Sequence, residues 1–276
     1  MIYEQISIHV DYKKAGIDYE GLCPTLTSYA PITSEEIHNK PYPAVLVLPG
    51  GGYDYCSDRE AEPVALKFLG MGIAAFVLRY SCVKKKYPTA LLEALTALKY
   101  IRENADRFYI DPDKISVMGF SAGAHLAGCV SNFYHDKEIL SYLDASEDEV
   151  KPDKSVLCYP VLTSGEYAHE GSILNLLADG GDDKLREKLS LENQVSSKTP
   201  ETFLWHTADD SCVPIENTLL YMSALSKNKI PFEAHIYEWG GHGLSLCDET
   251  TMYDSYQLLP VNANWVTACA DFMKRY

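Results

Sequence analysis

No run of apolar residues in this chain approaches the roughly 20 needed to cross a bilayer, and Met1-Ile2-Tyr3-Glu4-Gln5 has neither the basic start nor the apolar core of a secretory leader. A membrane partner is not expected. Positive charge is scarce as well. The chain carries 24 Lys+Arg against 39 Asp+Glu, a formal net charge of −15, which leaves no basic stripe for a polyphosphate backbone and excludes nucleic acid as the expected partner. Only Lys84-Lys85-Lys86 concentrates lysine, and it reads as a solvated loop. The cysteines (Cys23, Cys56, Cys82, Cys129, Cys158, Cys212, Cys247 and Cys269) are dispersed, with no C-x-x-C pair and no histidine cluster at zinc spacing. They form neither a disulfide framework nor a metal site, so the expected address is reducing and cytoplasmic. Internal repeats, low-complexity tracts and dividing linkers are also missing. With 276 residues, 46% of them hydrophobic, the expectation is one domain over residues 1–276, with a homo-oligomer left open.

Short runs rich in Val, Ile, Leu and aromatics are present throughout: Ala44 to Leu48, Ile73 to Leu78, Ile115 to Met118, Ser155 to Tyr159, Thr202 to Trp205 and Phe232 to Tyr237. Each is followed by a helical pattern. Near-continuous apolar strands alternating with helices predict an α/β fold with a mainly parallel sheet covered on both faces. The clearest helix spans Thr89 to Ala105, where Leu91, Leu92, Leu95, Leu98 and Ile101 recur at three- and four-residue intervals. It precedes Asp111-Pro112-Asp113, a turn signal. The first 40 residues, starting with the alternating Ile2 to Val10, read as antiparallel strands at a sheet edge. Residues 163–199 break the alternation with Gly165, Gly171, Gly180-Gly181 and a charged helical stretch from Asp182 to Leu191, the pattern of a small lid-like insertion.

Gly119-Phe120-Ser121-Ala122-Gly123 follows one of these strands and opens a helix. A G-x-S-x-G pattern there predicts a nucleophile elbow, with Ser121 on a strained turn and small neighbours that let strand and helix pass closely. Without that chemistry the same residues would be a plain glycine-flanked turn. A serine hydroxyl needs a base, and the base needs an orienting acid. After the fifth strand run come Asp209 and Asp210, and after the last strand comes Gly240-Gly241-His242-Gly243, so the order Ser, Asp, His follows the α/β-hydrolase arrangement. His242 is the candidate base because it alone follows the last strand on a glycine-bordered loop. His125, four residues past Ser121, reads as a buried histidine satisfying backbone groups, and His206 as a brace for the acid's loop. Only one of the adjacent aspartates can face the imidazole. Asp210 is favoured, and Asp209 then reads as a surface or loop-capping carboxylate.

Acyl transfer also needs donors for a developing oxyanion, and Pro49-Gly50-Gly51-Gly52-Tyr53 follows the strand ending at Leu48. The N–H groups of Gly51, Gly52 and Ala122 are the candidate oxyanion hole. A dinucleotide loop is the weaker reading, because the third glycine of G-x-G-x-x-G is replaced by Tyr55.

With these residues in view, the chain resembles the α/β-hydrolase carboxylesterases, in particular the bacterial acetyl-xylan-esterase-like and hormone-sensitive-lipase-like branch. The resemblance covers residues 42 to 275. It rests on Leu48-Pro49-Gly50-Gly51-Gly52-Tyr53, on Gly119 to Ala127, on H-x-x-x-D-x-x-V-P from His206 to Pro214, and on Gly241-His242-Gly243. The third motif selects Asp210 over Asp209. Hormone-sensitive-lipase relatives carry histidine where this chain has Pro49 and aspartate where it has Phe120, so the acetyl-xylan-esterase-like members are closer. The resemblance implies a cofactor-free serine esterase taking a small-molecule ester, with short acyl groups on sugar or other polyol alcohols. Sugar-hydrolase labels occur in this branch, but glycoside hydrolysis calls for two opposed carboxylates. The alternatives are a peptidase or thioesterase of the same fold, and a non-catalytic binding module on a hydrolase scaffold.

Overall fold

The computed structural model describes residues 1–18, 24–34, 36–37, 40–83, 85–178 and 182–275. Cys23, Lys84, Gly180 and Gly181 lie outside the described residues. Eight strands form one sheet: β1 (Ile2–Ser7), β2 (Thr25–Ala30), β3 (Tyr42–Leu48), β4 (Ala74–Arg79), β5 (Ile110–Phe120), β6 (Lys154–Cys158), β7 (Glu201–Thr207) and β8 (Phe232–Tyr237). Their order is β1-β2-β4-β3-β5-β6-β7-β8. From β4 to β8 all neighbours are parallel, and β1 and β2 close one edge as an antiparallel pair. The helices are α1 (Glu62–Gly70), α2 (Thr89–Glu103), α3 (Ala105–Phe108), α4 (Ala122–Phe133), α5 (Lys137–Leu143), α6 (Glu147–Val150), α7 (Glu170–Leu177), α8 (Asp183–Lys188), α9 (Glu216–Lys227) and α10 (Trp265–Lys274). Among the described residues no helix is long and apolar enough to cross a membrane.

Strand side chains alternate between faces, so each central strand feeds two cores. Ala44, Leu46 and Leu48 of β3 join Leu91, Leu95, Leu98 and Ile101 of α2 and Leu126 and Val130 of α4. Val45 and Val47 join Val64 and Phe68 of α1 and Trp265 and Cys269 of α10 on the opposite face. Full burial of one such Leu, Val or Phe side chain contributes about 1.5–3 kcal/mol. Helices on both faces are therefore a requirement of the apolar strands.

Two boundaries differ from the pattern reading. The α2 helix stops at Glu103, where the Asn104 side chain turns back to donate to Tyr100 O at 2.8 Å, and Ala105–Phe108 forms a separate turn ending in left-handed Tyr109. Asp111-Pro112-Asp113 is not a turn between elements but an irregularity inside β5. Tyr42 pairs with Ile110 and Ala44 with Ile115, so the intervening residues leave the ladder, as expected of a segment whose proline has no N–H to donate.

Residues 163–199 carry α7 and α8, the latter shorter than the charged stretch suggested because the chain tightens into a 3-10 turn at Leu191–Asn193. The insertion is tied at its base. Asn217 Oδ1 accepts from Leu162 N and Thr163 N at 2.8 and 3.0 Å, and Arg186 Nε donates to Ser164 O at 2.9 Å. At its far side, Asn175 Nδ2 donates to Gly52 O at 2.9 Å.

Candidate active site

A single residue, Ser121, separates the end of β5 from the start of α4, at φ 53° and ψ −118°. For a residue with a Cβ this backbone costs on the order of 1–3 kcal/mol. The surroundings hold it there: Ser121 N donates to Cys158 O at 3.0 Å, and Ser121 O accepts from Ala124 N and Val161 N at 3.0 and 3.2 Å. The flanking glycines are steric requirements. A Cβ on Gly119 would lie 2.1 Å from Gly123 O, and one on Gly123 would lie 2.2 Å from Leu48 O. Gly50 packs as tightly, its absent Cβ falling 2.6 Å from Phe120 O and 3.0 Å from Ser121 Cβ. The glycine turn after β3 is thus pressed against the serine elbow.

His242 reaches this elbow from the loop after β8. Its Nε2 lies 2.8 Å from Ser121 Oγ and its Nδ1 2.6 Å from Asp210 Oδ2. A carboxylate only accepts, so Nδ1 carries the proton and Nε2 is left to accept from the serine hydroxyl. The loop has Gly240, Gly241 and Gly243 at positive φ. It is pinned by Asp209 Oδ1, which accepts from Gly241 N at 2.9 Å, and by Thr207 Oγ1, which donates to Gly241 O at 2.7 Å.

Asp210 is buried, and all of its acceptor directions are engaged. Oδ1 accepts from Cys212 N and Val213 N, both at 2.9 Å. Oδ2 also receives His206 Nε2 at 3.1 Å, while His206 Nδ1 pairs with Thr218 Oγ1 at 2.8 Å. Burial alone would raise this carboxyl. The hydrogen bonds from His206 and His242, the electrostatic attraction between Asp210 and His242 and the Val213 N–H outweigh it and hold Asp210 well below the usual carboxylate range.

The glycine turn has consecutive positive φ at Gly51, Gly52 and Tyr53 (123°, 66° and 58°). Its carbonyls are spoken for: Gly50 O accepts from Ser57 N, Gly51 O from Asp54 N and Tyr55 N, and Gly52 O from Asn175. The N–H groups of Gly51, Gly52 and Ala122 find no acceptor among the described residues. Ser172, on the first turn of α7, lies near Gly52 and pairs with His169 Nδ1 at 2.8 Å.

His125 stays away from this relay. It is fully buried, with Nε2 donating to Leu189 O at 3.0 Å and Nδ1 pairing with the Tyr53 hydroxyl at 2.9 Å. Burial lowers it to about 4, against a small opposing effect of the Leu189 bond. The unfolded chain, with an ordinary histidine near 6.5, therefore binds the proton more readily between those values, and stability present in full above about pH 6.5 is lost as the pH falls toward 4. Urea unfolding at pH 7.5 and 4.5 should show wild type losing about 2–3 kcal/mol more than His125→Gln. Equal losses would remove this assignment.

Three further residues, Glu60, Tyr159 and Arg59, complete the site. Glu60 and Tyr159 carry no motif. Arg59 lies in a rim segment and reads from sequence as an ordinary surface or ion-pair residue, yet among the described residues it donates to no carboxylate: its partners are Gly243 O and Gln257 Oε1, both at 2.9 Å, and Thr251 O at 2.5 Å. Backbone carbonyls as partners leave no trace in a sequence.

Residues 31–225 match the family model BD-FAE. The chain is 37% identical over 237 residues to an endo-1,4-beta-xylanase B of Butyrivibrio fibrisolvens, covering 83% of this chain and 36% of that one. It is 31% identical over 229 residues to an acetylxylan esterase of Xylanibacter ruminicola, covering 81% and 45%. It thus spans less than half the length of these two relatives. A crystal structure of an acetyl ester-xyloside bifunctional hydrolase from Caldicellulosiruptor lactoaceticus aligns at a TM-score of 0.82 and 38% identity, covering 98% of this chain and 95% of that one.

Proposed function

The chain belongs to the BD-FAE family, and we propose that it is a serine carboxylesterase removing short acyl groups, acetyl foremost, from sugar or other polyol alcohols. The observation that carries this reading is the continuous Ser121–His242–Asp210 hydrogen-bond relay beside backbone N–H groups that have no acceptor among the described residues.

His242 Nε2 takes the proton of Ser121 Oγ as the oxygen attacks the ester carbonyl. Asp210 fixes the imidazole tautomer and stabilises the imidazolium that forms. The carbonyl oxygen, now negative, rests on the N–H groups of Gly51, Gly52 and Ala122, each donor worth on the order of 3 kcal/mol of barrier. The intermediate collapses, the alcohol leaves with the proton from His242, and water repeats the sequence on the acyl-enzyme to release the acid. Every proton in this cycle is held by His242, so no cofactor is called for. In this reading residues 1–276 are one domain, and α7 of the insertion at residues 163–199 covers the glycine turn. The described cysteines are free thiols, in keeping with a reducing, cytoplasmic compartment.

The names of two relatives include xylan or xyloside cleavage, but that chemistry is not carried over. Inverting or retaining glycosidases need two free carboxyl groups facing the sugar, and the two buried carboxylates beside Ser121 and His242, Asp210 and Glu60, are committed to protein donors. A panel of nitrophenyl acetate, butyrate and octanoate, acetylated xylo-oligosaccharides, an acyl thioester, an aminoacyl amide and an aryl xyloside tests the proposal. Acetyl esters should give the highest kcat/KM, falling by about tenfold or more at octanoate. Faster turnover of the amide, the thioester or the xyloside would replace it.

A further inference from the structure

Arg59 and Glu60 take no part in the proton transfers, yet they sit where the two halves of the machinery meet. They close the short turn Asp58–Glu60 immediately before α1. Glu60 is 4% exposed and divides its carboxylate between two elements: Oε2 accepts from Gly50 N at 2.8 Å and Oε1 from the Tyr159 hydroxyl at 2.6 Å. The Tyr159 hydroxyl in turn accepts from Ser245 N at 2.9 Å, and its ring stands edge-on to the His242 imidazole with centroids 5.1 Å apart. Arg59 spans the other side of the same loop through Gly243 O, Thr251 O and Gln257 Oε1. Its own carbonyl accepts from Ser245 Oγ at 2.7 Å.

We propose that Arg59 and Glu60 are positioning residues that hold the glycine turn and the His242 loop at one fixed separation, so that oxyanion donors and base meet the same substrate carbonyl. The proposal rests on the esterase reading above. Both segments need such a clamp. The glycine turn and the His242 loop are built on glycines at positive φ, which supply the shape and also the freedom to leave it. A displacement of about 1 Å at a reacting centre can cost about 100-fold in rate. Hydrogen bonds to an ionised group are roughly twice as strong as neutral ones, which suits a carboxylate and a guanidinium to this task. Glu60 is the joint between the halves: one oxygen holds the turn, the other reaches the base loop through Tyr159.

The test compares Glu60→Gln, Tyr159→Phe, their double variant and Arg59→Ala in the full chain, with active sites counted by a fluorophosphonate on Ser121 and folding followed by thermal melts. Gln keeps one acceptor but reverses the other bond and removes the charge. The expected result on nitrophenyl acetate is a fall of about 10–100-fold in kcat per labelled serine for Glu60→Gln, with KM within about threefold. Tyr159→Phe should lose about tenfold, and the double variant should be no worse than Glu60→Gln, because both changes cut one chain of contacts. Arg59→Ala should lose about tenfold or more and recover part of it in millimolar guanidinium. A merely structural role would lower the melting temperature and leave kcat per labelled serine within twofold of wild type, and that outcome overturns the proposal. If Glu60→Gln fails to fold, an unchanged kcat in Tyr159→Phe does the same. A wild type inert to esters and unlabelled at Ser121 would instead remove the esterase reading. The downfield proton signal of His242 Nδ1–H, which reports the Asp210 bond without turnover, should then still shift or broaden in Arg59→Ala, and an unchanged signal would overturn the clamp itself.

Discussion

Ser121→Ala is expected to lower kcat on short nitrophenyl esters by about 10⁵-fold or more while leaving the unfolding free energy within about 1 kcal/mol of wild type. The two halves of that expectation have separate causes. Alanine keeps the Cβ, so the backbone strain at φ 53° and the contact with Gly50 are unchanged. What disappears is the hydroxyl 2.8 Å from His242 Nε2, and with it the only atom in the relay able to form an acyl-enzyme. Residual turnover above the uncatalysed rate should persist, because the donors of Gly51, Gly52 and Ala122 and an activated water remain. Steady-state kinetics on rigorously purified variant protein, with urea unfolding alongside, checks both. Wild-type rates in this variant would end the proposed mechanism.

Asp210→Asn is expected to lower kcat by about 10⁴-fold with little change in KM, although the replacement is nearly isosteric. Both oxygens of Asp210 face donors: Oδ1 two backbone N–H groups, Oδ2 the two imidazoles. An amide must turn its NH₂ toward one of these pairs. Facing His242, it forces the proton onto Nε2, where the imidazole can no longer accept from Ser121. Facing the backbone, it leaves buried N–H groups unpaired, at about 1–3 kcal/mol each. Asp209→Asn is the control. Its amide oxygen can still accept from Gly241 N, so the loss should stay below about tenfold. A larger loss at residue 209 than at 210 would reverse the assignment of the acid.

Much of this site is legible in the sequence because its constraints are steric and repeat locally. The elbow leaves a signature since strand, turn and helix collide unless residues 119 and 123 lack a Cβ. His242 is legible because a base reaching back from the last strand needs glycines around it, and the buried parallel strands because both of their faces must be apolar. Asp210 over Asp209 is a choice of register, for which the His206 to Pro214 motif favours the residue whose Oδ2 lies 2.6 Å from His242 Nδ1. The clamp is illegible for the opposite reason. Arg59 pairs with carbonyls more than 180 residues away in sequence, and Glu60 with an N–H and a phenol that any polar residue of suitable length could meet. The ending of α2 depends on one asparagine folding back on its own helix, a competition that periodicity does not register.

The strand order also sets a reach. Ser121 leaves β5, Asp210 leaves β7 and His242 follows β8, with β6 intervening. At about 4.8 Å per strand the last of these departs roughly 14 Å from the first. An imidazole covers only a fraction of that gap, so the stretch from Glu238 to Gly241 must fold inward across two neighbouring strands before its histidine is presented. Trimming that stretch by one residue would strand the imidazole short of its target while every side chain of the relay was still encoded.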